Sequence, residues 1–348
     1  MGRQFVDDHR FFLYHDGDGG TDITAAVSAP ELQDDLSALS VELSFQAARN
    51  QLRDPYLRWC GAAPGDKLRV MNHGAEIFSG VILSVDLDGS VIANDPGWYL
   101  SKSEIVLSCT RVSAADAVGR MCAKAGVAVG KIDLPATRLT EVWTGETPEA
   151  ILKDILAICS AETGLDYCFR VRQGALQVSP LPTVPLIAYH KPVENAAAFD
   201  ITLAKGAVSG SDSMETLINS VLLTESGTDT ARVLARAANA ASIARYGLQQ
   251  MAERLTGDES TAQARNRIAH LLAASDRLKC ERQVDDIWGA DEVCSGTLLQ
   301  FQGNAYGVTG LQRVTAVTHR YGTTHRMSLT VEPYAQQRAA GSGDTITG

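Results

Sequence analysis

The sequence lacks the motifs and hydrophobic runs that define several common protein classes. It has no GxSxG, HExxH, P-loop or GxGxxG pattern, which argues against common hydrolases, metalloproteases and nucleotide-binding enzymes. No stretch approaches the roughly 18 apolar residues that a membrane-spanning helix needs. The N-terminus, MGRQFVDDHRFFLYHD, has no signal-peptide core. These absences predict a soluble protein that is neither exported by a cleaved leader nor inserted into a membrane.

Paired cysteines are also missing. The seven cysteines are an odd number, and no two form a CxxC pair. This pattern is typical of reduced thiols that pack as small hydrophobic side chains in a protein made in the cytosol. Cys122, Cys159 and Cys168 could be imagined as a metal cluster, but their spacing fits no zinc pattern, and we expect them to pack in a core.

Positive charge is in short supply. The 348 residues carry a formal net charge of -10 and include 45% hydrophobic residues. An acidic balance argues against nucleic-acid binding driven by phosphate neutralisation. The length is sufficient for two or three domains.

The sequence contains mainly the alternating apolar and polar pattern of β-strands, which is clearest over residues 64–100. Leu68 and Val70 alternate with polar neighbours, and apolar residues recur with period two over Ile77–Val85. Asn-His-Gly and Asp-Gly turns separate these runs, which predicts an antiparallel β-meander. Asp95-Pro96 marks its end, where the Asp side chain is expected to accept a hydrogen bond from its own turn. With strands near Phe11–Tyr14 and Leu39–Phe45, residues 1–104 are predicted to form one β-barrel.

The period changes after residue 104. Ser113 and Asp116 form a capping box that opens a helix ended by Gly126, and Thr147-Pro148 opens a second helix ended by Gly164. A hairpin over residues 167–178 follows. Residues 105–180 are therefore predicted to form a small α+β insert.

Strand pattern returns in the C-terminal half. A helix over residues 259–274 interrupts it, so residues 181–333 are predicted to form a second β-barrel with a helical insertion. The polar, Gly-rich segment 334–348 is predicted to be a flexible tail.

The opening of the meander recurs in this second barrel. Gly65-Asp66-Lys-Leu-Arg-Val is echoed by Gly296-Thr-Leu-Leu-Gln-Phe. Each run is followed by a turn and then by a Gly that is predicted to open a new strand, and we align these two residues, Gly80 and Gly310. The fold class is thus predicted as α+β, mainly β, with two related antiparallel tube-type β-barrels and a small α+β insert between them. Two like barrels per subunit would let a trimer mimic six-fold symmetry.

His319 and His325 are the most suggestive pair of side chains. In the segment HRYGTTH they flank a turn and can face each other across a hairpin. No third ligand is evident from the sequence, so a structural pair is favoured over a metal site. The acid pairs Asp285-Asp286 and Asp291-Glu292 are expected to solvate a loop rather than to catalyse hydrolysis.

At these residues the chain resembles the XkdQ/YqbQ-type baseplate hub proteins of contractile-tailed phages and phage-tail-like particles. The resemblance covers most of residues 10–333 in the same order. It departs from the family at GTLL over 296–299 and is poor over residues 181–240. The segments that carry it are Asp22-Ile-Thr with the strand at Leu39–Phe45, GDKLRV with EIFSGVI and ANDPGWYLSKS, MCAKAGVAVGKI, and SIARYG through to THRYGTTHRMSLTVEP.

The resemblance implies a structural hub and no catalytic, metal-binding or cofactor-binding residues. It implies a homotrimer whose pseudo-hexameric ring joins the six-fold tail tube to the three-fold spike. Partners would be the spike, the tube, other baseplate proteins and possibly the tape-measure protein, within a virion or tail-like particle made in the bacterial host cytoplasm. The acidic balance would suit a channel that passes DNA or tape-measure protein.

Two other functions stay open on the sequence alone. One is a tail-associated peptidoglycan hydrolase with His319, His325 and nearby acids as its site. The other is a β-module that binds carbohydrate or another ligand.

Overall fold

The computed structural model describes residues 7–15, 19–50, 56, 60–186, 199–200, 208–226, 231–255, 260–305, 308–334 and 345–347. Antiparallel strands dominate these residues, as the sequence predicts. In chain order the strands are β1 (His9–Tyr14), β2 (Thr21–Asp22), β3 (Val27–Asp35), β4 (Glu42–Ala47), β5 (Lys67–Asn72), β6 (Ala75–Val85), β7 (Ser90–Asn94), β8 (Ile105–Ser113), β9 (Ala128–Ile132), β10 (Arg138–Glu146), β11 (Tyr167–Arg172), β12 (Ala175–Pro180), β13 (Phe199–Asp200), β14 (Val208–Ser213), β15 (Ser220–Ser226), β16 (Ala231–Ala238), β17 (Gln250–Arg254), β18 (Lys279–Trp288), β19 (Leu298–Ala305), β20 (Val308–Tyr321), β21 (His325–Pro333) and β22 (Thr345–Thr347).

Four α-helices accompany the strands in the described residues, and the first two begin and end at the predicted caps. They are α1 (Ala114–Ala125), α2 (Pro148–Thr163), α3 (Ala240–Tyr246) and α4 (Thr261–Ser275). Ser113 accepts the Asp116 N–H at 3.2 Å, and Thr147 accepts the Ala150 N–H at 3.2 Å. None of the described helices is long and apolar enough to cross a membrane.

One five-stranded arrangement occurs twice in the largest sheet. In the first β unit the strand order is β5-β6-β7-β4-β3, and in the second it is β19-β20-β21-β18-β14. Every neighbouring pair in both series is antiparallel. Taken in chain order, the five strands of one unit map onto those of the other without a change in topology. The predicted internal repeat is therefore visible in the strand order.

Gly65 and Gly296 hold equivalent places in this repeat. The Gly65 N–H donates to the Ile82 carbonyl at 2.8 Å, and the Gly296 N–H donates to the Val314 carbonyl at 2.7 Å. Both glycines have a positive φ, 96° and 75°, in the turn before the first strand of the hairpin. A residue with a Cβ is disfavoured in that conformation, which explains why glycine occurs in both copies.

Aligning Gly80 with Gly310 was wrong. Gly310 lies opposite Phe301 in β19, which is the place that Phe78 takes opposite Val70 in the first unit. Gly80 lies two residues further along its strand. The second hairpin is one residue longer than the first, so a comparison that matches glycine to glycine shifts the register.

The two β units share one hydrogen-bonded sheet rather than forming two separate ones. The C-terminal half of β20 pairs with β3, with Ala316 opposite Asp35 and Arg320 opposite Glu31. The N-terminal half of β20 pairs with β19 of its own unit. The long strand β20 therefore belongs to both units and fixes one against the other.

The helices of the predicted α+β insert pack in an apolar cluster that also includes Leu39 and Leu100 of residues 1–104. Strand β8 begins at Ile105, and α1 and α2 pack on the β8-β10 pair and the β11-β12-β9 sheet around a shared apolar cluster. Cys122 and Cys159 are fully buried in that cluster, as expected for packing side chains. Burial raises the pKa of each thiol to about 11, so both stay protonated at neutral pH.

The insertion into the second unit is more than the predicted helix. Strands β17-β15-β16-β22 form a separate sheet, and α4 covers it through Ala264, Ile268 and Leu272. Thr345–Thr347 is the outer strand of this sheet, so part of the expected flexible tail is paired. Residues 335–344 of that tail and 187–198 of the poorly resembling stretch lie outside the described residues.

Candidate functional site

A cluster of imidazole and carboxylate groups lies where the two β units meet. His9 comes from β1, and Asn72 is the last residue of the neighbouring strand β5. Asp291 follows β18, and His319 and His325 belong to β20 and β21. Residues up to 282 positions apart are hydrogen-bonded here, because the long β20-β21 hairpin reaches back to the first unit.

His319 and His325 contact each other, as their spacing predicts. His319 Nδ1 and His325 Nε2 are 2.9 Å apart, and His319 Nε2 lies 2.9 Å from the Val293 carbonyl oxygen. A carbonyl only accepts, so His319 Nε2 carries the hydrogen. Burial and the neighbouring His325 lower the pKa of His319 to about 4, so His319 is neutral at pH 7. Its Nδ1 is then an acceptor, and His325 Nε2 donates to it.

This tautomer leaves His325 Nδ1 facing oxygen atoms. Its side chain is 2% exposed, and Nδ1 has no hydrogen-bond partner among the described residues. Asp291 Oδ1 lies 3.6 Å away, and Asp7 Oδ2 lies 3.7 Å away. His325 Nδ1 therefore faces the carboxylate oxygens of Asp291 and Asp7.

Asp291 is held in place by side chains of the first unit. Its Oδ2 accepts from Asn72 Nδ2 at 2.6 Å, and its Oδ1 lies 3.0 Å from His9 Nε2. Burial alone would raise the pKa of Asp291, but hydrogen bonding with His9 and the charges of His9 and His325 outweigh it and lower the pKa. Asp291 is thus a carboxylate at neutral pH.

Gly289 leaves room for the ring of His325. A Cβ on Gly289 would lie 2.2 Å from the ring, and the Gly289 N–H donates to the His325 carbonyl at 3.0 Å. The His9 ring packs on Tyr321 with centroids 4.3 Å apart. A cavity of about 690 Å³ opens beside the cluster, between residues 24–30 of the first unit and the β20-β21 turn.

The other residues singled out in the sequence lie outside this cluster. Asp66 accepts from the Ala63 N–H at 2.8 Å and lies 2.9 Å from His15 Nδ1. Asp95 caps the short 3-10 helix that Pro96 begins and accepts the Gly97 N–H at 2.8 Å, as predicted. These residues and the four glycines shape turns and strands of the scaffold.

Sequence reasoning missed His9 and Asp291. Asp291 was interpreted as a solvating loop residue, yet it is 15% exposed and lies between the two units. Of the other acid pair, Asp286 does bind a neighbour: its Oδ1 accepts from Arg326 Nε at 2.9 Å. Nothing local in the sequence joins His9 to a loop near the other end of the chain; the pairing of β3 with β20 brings the two units together.

Comparison with protein-family models gives one match, to the model described as YQBQ-like, over residues 32–332. The chain belongs to the YQBQ-like family. The match includes both β units and the insert between them, which agrees with the resemblance noted from the sequence. A sequence comparison with curated proteins gives no match.

Solved structures share the fold of this YQBQ-like chain. The 43 kDa tail protein of prophage MuSo2 from Shewanella oneidensis superposes with a TM-score of 0.63 at 10% identity, over 93% of this chain and 97% of that one. A tail protein from Neisseria meningitidis MC58 gives 0.62 at 12% identity, over 93% and 96%. Prophage tail protein gp18 from Listeria monocytogenes EGD-e gives 0.55 at 10%, over 95% of both chains. The fold is thus that of phage tail proteins.

Proposed function

We propose that the chain is a structural hub protein in the baseplate of a phage tail or tail-like particle. Three copies form a ring that presents six like β units, and the ring joins a six-fold tail tube to a three-fold spike. The observation that carries the proposal is the five-strand order that occurs twice in one chain. The family and the tail-protein fold support the same role.

In the proposed ring, neighbouring chains pair in the way that the two β units pair inside one chain. Strand β20 of the second unit receives β3 of the first along Ala316–Arg320. In a ring of six like units, β6 of the first unit receives β14 of a neighbouring copy in the same way. Interfaces of this head-to-tail kind close into rings when the rotation permits.

Both edges required for that junction are present. In the described part of the chain β14 has a single strand neighbour, β18, and the outer edge of β6 has none beyond Ile82. Leu87, next to this edge of β6, is 87% exposed. Unpaired edges with an exposed apolar residue are sites at which another strand adds.

The repeat also gives the register between chains. The pairing of β6 with β7 is irregular between Ile82 and Ser84, and the pairing of β20 with β21 is irregular between Val314 and Ala316. Because these irregularities occupy the same place in the two units, Ser84 is equivalent to Ala316. Following the pairings through β21, β18 and β14 makes Ser213 equivalent to Asp35, the partner of Ala316. Ser84 of one copy is therefore placed opposite Ser213 of the next.

The remaining partners follow from this role. The proposal includes contacts with the spike, the tube, other baseplate proteins and the tape-measure protein, with synthesis in the host cytoplasm before assembly into the particle. It includes neither base-specific contact with nucleic acid nor insertion into a membrane. The net charge of -10 suits a ring through which DNA or the tape-measure protein passes without binding.

Disulfide trapping in assembled particles tests the ring. Directly opposed strand residues have Cα atoms about 4.5–5.5 Å apart, within the range of a disulfide. The variant S84C/S213C is built with Cys280→Ser, because Cys280 lies opposite Asp212 in β18 and could exchange. The control is S84C/S209C, displaced by four residues along the same strand.

Oxidised tail particles of S84C/S213C should yield a covalent trimer on a non-reducing gel, and the control should yield monomer. A chain that stays monomeric in intact particles, or that is trapped only as a dimer, would contradict the three-copy ring.

A further inference from the structure

We infer that His9, Asp291 and His325 form a zinc site that ties the two β units of one chain together. Within the described residues, His9, Asp291 and His325 are the group of three side chains placed to hold a metal ion, with ligand atoms all within 4.8 Å of one another. The site lies inside a single chain, so it does not depend on the proposed ring.

Spacing between the ligand atoms fits three protein ligands of one tetrahedral ion, with the fourth position open. Bonds of about 2.0–2.1 Å from tetrahedral zinc to nitrogen and oxygen place neighbouring ligand atoms about 3.3 Å apart. Asp291 Oδ1 lies 3.0 Å from His9 Nε2 and 3.6 Å from His325 Nδ1. The separation of 3.6 Å is long for a hydrogen bond but suits two ligands of one ion.

The buried nitrogen of His325 is the second observation. His325 Nδ1 has no hydrogen-bond partner among the described residues and lies 3.6 Å from Asp291 Oδ1 and 3.7 Å from Asp7 Oδ2. A cation bound to this nitrogen and to the Asp291 carboxylate satisfies both groups. Two imidazole nitrogens with a carboxylate oxygen are a donor set that suits Zn²⁺ better than Ca²⁺ or Mg²⁺, which prefer oxygen ligands.

Neighbouring hydrogen bonds hold these ligands in orientation. Metal-binding histidines commonly donate their other ring N–H to a fixed acceptor, and His325 Nε2 donates to His319, which is itself anchored on the Val293 carbonyl. Asn72 Nδ2 holds Asp291 Oδ2 and leaves Oδ1 toward the histidines. His319 and His325 are thus not two ligands of one ion: His325 binds and His319 positions it.

Metal analysis of the full-length chain tests this site. The protein is incubated with Zn²⁺, freed of excess metal and assayed for zinc by mass spectrometry; the Kd is measured by competition with a chromophoric chelator. The variants are His9→Gln and Asp291→Asn. The matched control is His15→Gln, because His15 and Asp66 form another His–Asp contact, at 2.9 Å, which belongs to no group of three metal-binding side chains among the described residues.

Wild type should bind one zinc per chain, show the visible absorption of tetrahedral Co²⁺ after substitution, and unfold at a higher temperature with zinc than with chelator. Both site variants should bind at least 100-fold more weakly while keeping their far-UV circular dichroism, and His15→Gln should stay within twofold of wild type. If His325 simply takes up a proton, wild type will not bind stoichiometric zinc, and that result would overturn the site. So would variants that bind as tightly as wild type.

Discussion

Asp34 of the first β unit accepts two hydrogen bonds from Ser295 of the second, 261 residues further along the chain. The Ser295 N–H donates to Asp34 Oδ2 at 2.9 Å, and its hydroxyl donates to Oδ1 at 2.7 Å. Ser295 is 3% exposed. The carboxylate therefore satisfies two buried donors in the turn that precedes β19, next to the β3-β20 junction.

Removing this carboxylate should loosen the junction. Asp34→Ala leaves both donors of Ser295 unsatisfied and is expected to lower the free energy of unfolding by about 1–3 kcal/mol. Asp34→Asn keeps an oxygen acceptor and should lose about half as much. Urea unfolding measures both, and equal stability of all three proteins would contradict the contact.

Asp95 should make stability fall as pH rises. Burial raises the pKa of Asp95 to about 7, although hydrogen bonding with the backbone of Val41 and Gly97 opposes the rise. The unfolded value is about 3.9, so the folded state binds more protons between about pH 4 and 7 and stability declines over that window. Asp95→Asn cannot titrate at this position. Its free energy of unfolding, relative to that of wild type, should therefore rise by about 2–3 kcal/mol as pH increases from 5 to 8.

Asp88→Asn is a control for which the effect of pH on stability is opposite. Hydrogen bonds from the Ser90 backbone and hydroxyl lower the pKa of Asp88. The Asp88 carboxylate therefore stabilises the folded wild type above the unfolded pKa, and this stabilisation is lost as pH falls. Unfolding curves at several pH values separate the two variants. The same pH slope for Asp95→Asn and wild type would count against the buried carboxyl.

Gly80 is required by close packing in the first β unit. A Cβ at this position would lie 2.4 Å from the Asn94 carbonyl oxygen of β7. Gly80→Ala is therefore expected to lower the free energy of unfolding by about 1–3 kcal/mol. Gly119 in α1 has open space around its Cβ position, so Gly119→Ala should stabilise by about 0.5–1 kcal/mol. Thermal unfolding compares the two, and a tolerated Gly80→Ala would refute the close approach.

Peptidoglycan hydrolysis is the enzymatic alternative, with His319 and His325 as its proposed site. His319 is 3% exposed and anchored on a carbonyl, so it is not poised to act on a polymer. Wild type and His325→Ala should both leave a cell-wall zymogram uncleared beside a lysozyme lane. Clearing by wild type that disappears in His325→Ala would establish the enzyme.

Local features were predictable because local chemistry decides them. The caps at Ser113 and Thr147, the turn at Asp95 and the meander around Leu68 each follow from residues within a few positions of one another. The repeat could be detected because the turn at Gly65 needs a positive φ in both copies.

Long-range features were not predictable for the same reason. The register of the second hairpin depends on a loop that is one residue longer, which no pattern in β19 reveals. The His319–His325 contact lies within seven residues and was foreseen, whereas the approach of His9 to Asp291 spans 282 positions. The strand-like run over residues 218–223 overlaps β15, but a separate sheet beneath α4 was not foreseen, because its central strand β16 is Ala-rich, a weak strand pattern.

The pairing of β20 with β3 sets an order of events during synthesis. Glu31 meets Arg320, a residue translated 289 positions later. At about 5–20 residues per second, the outer edge of β3 waits roughly 15–60 s for its partner after it leaves the ribosome. During that interval the unpaired edge of β3 is a site at which another strand can pair, including the same edge of a neighbouring nascent chain.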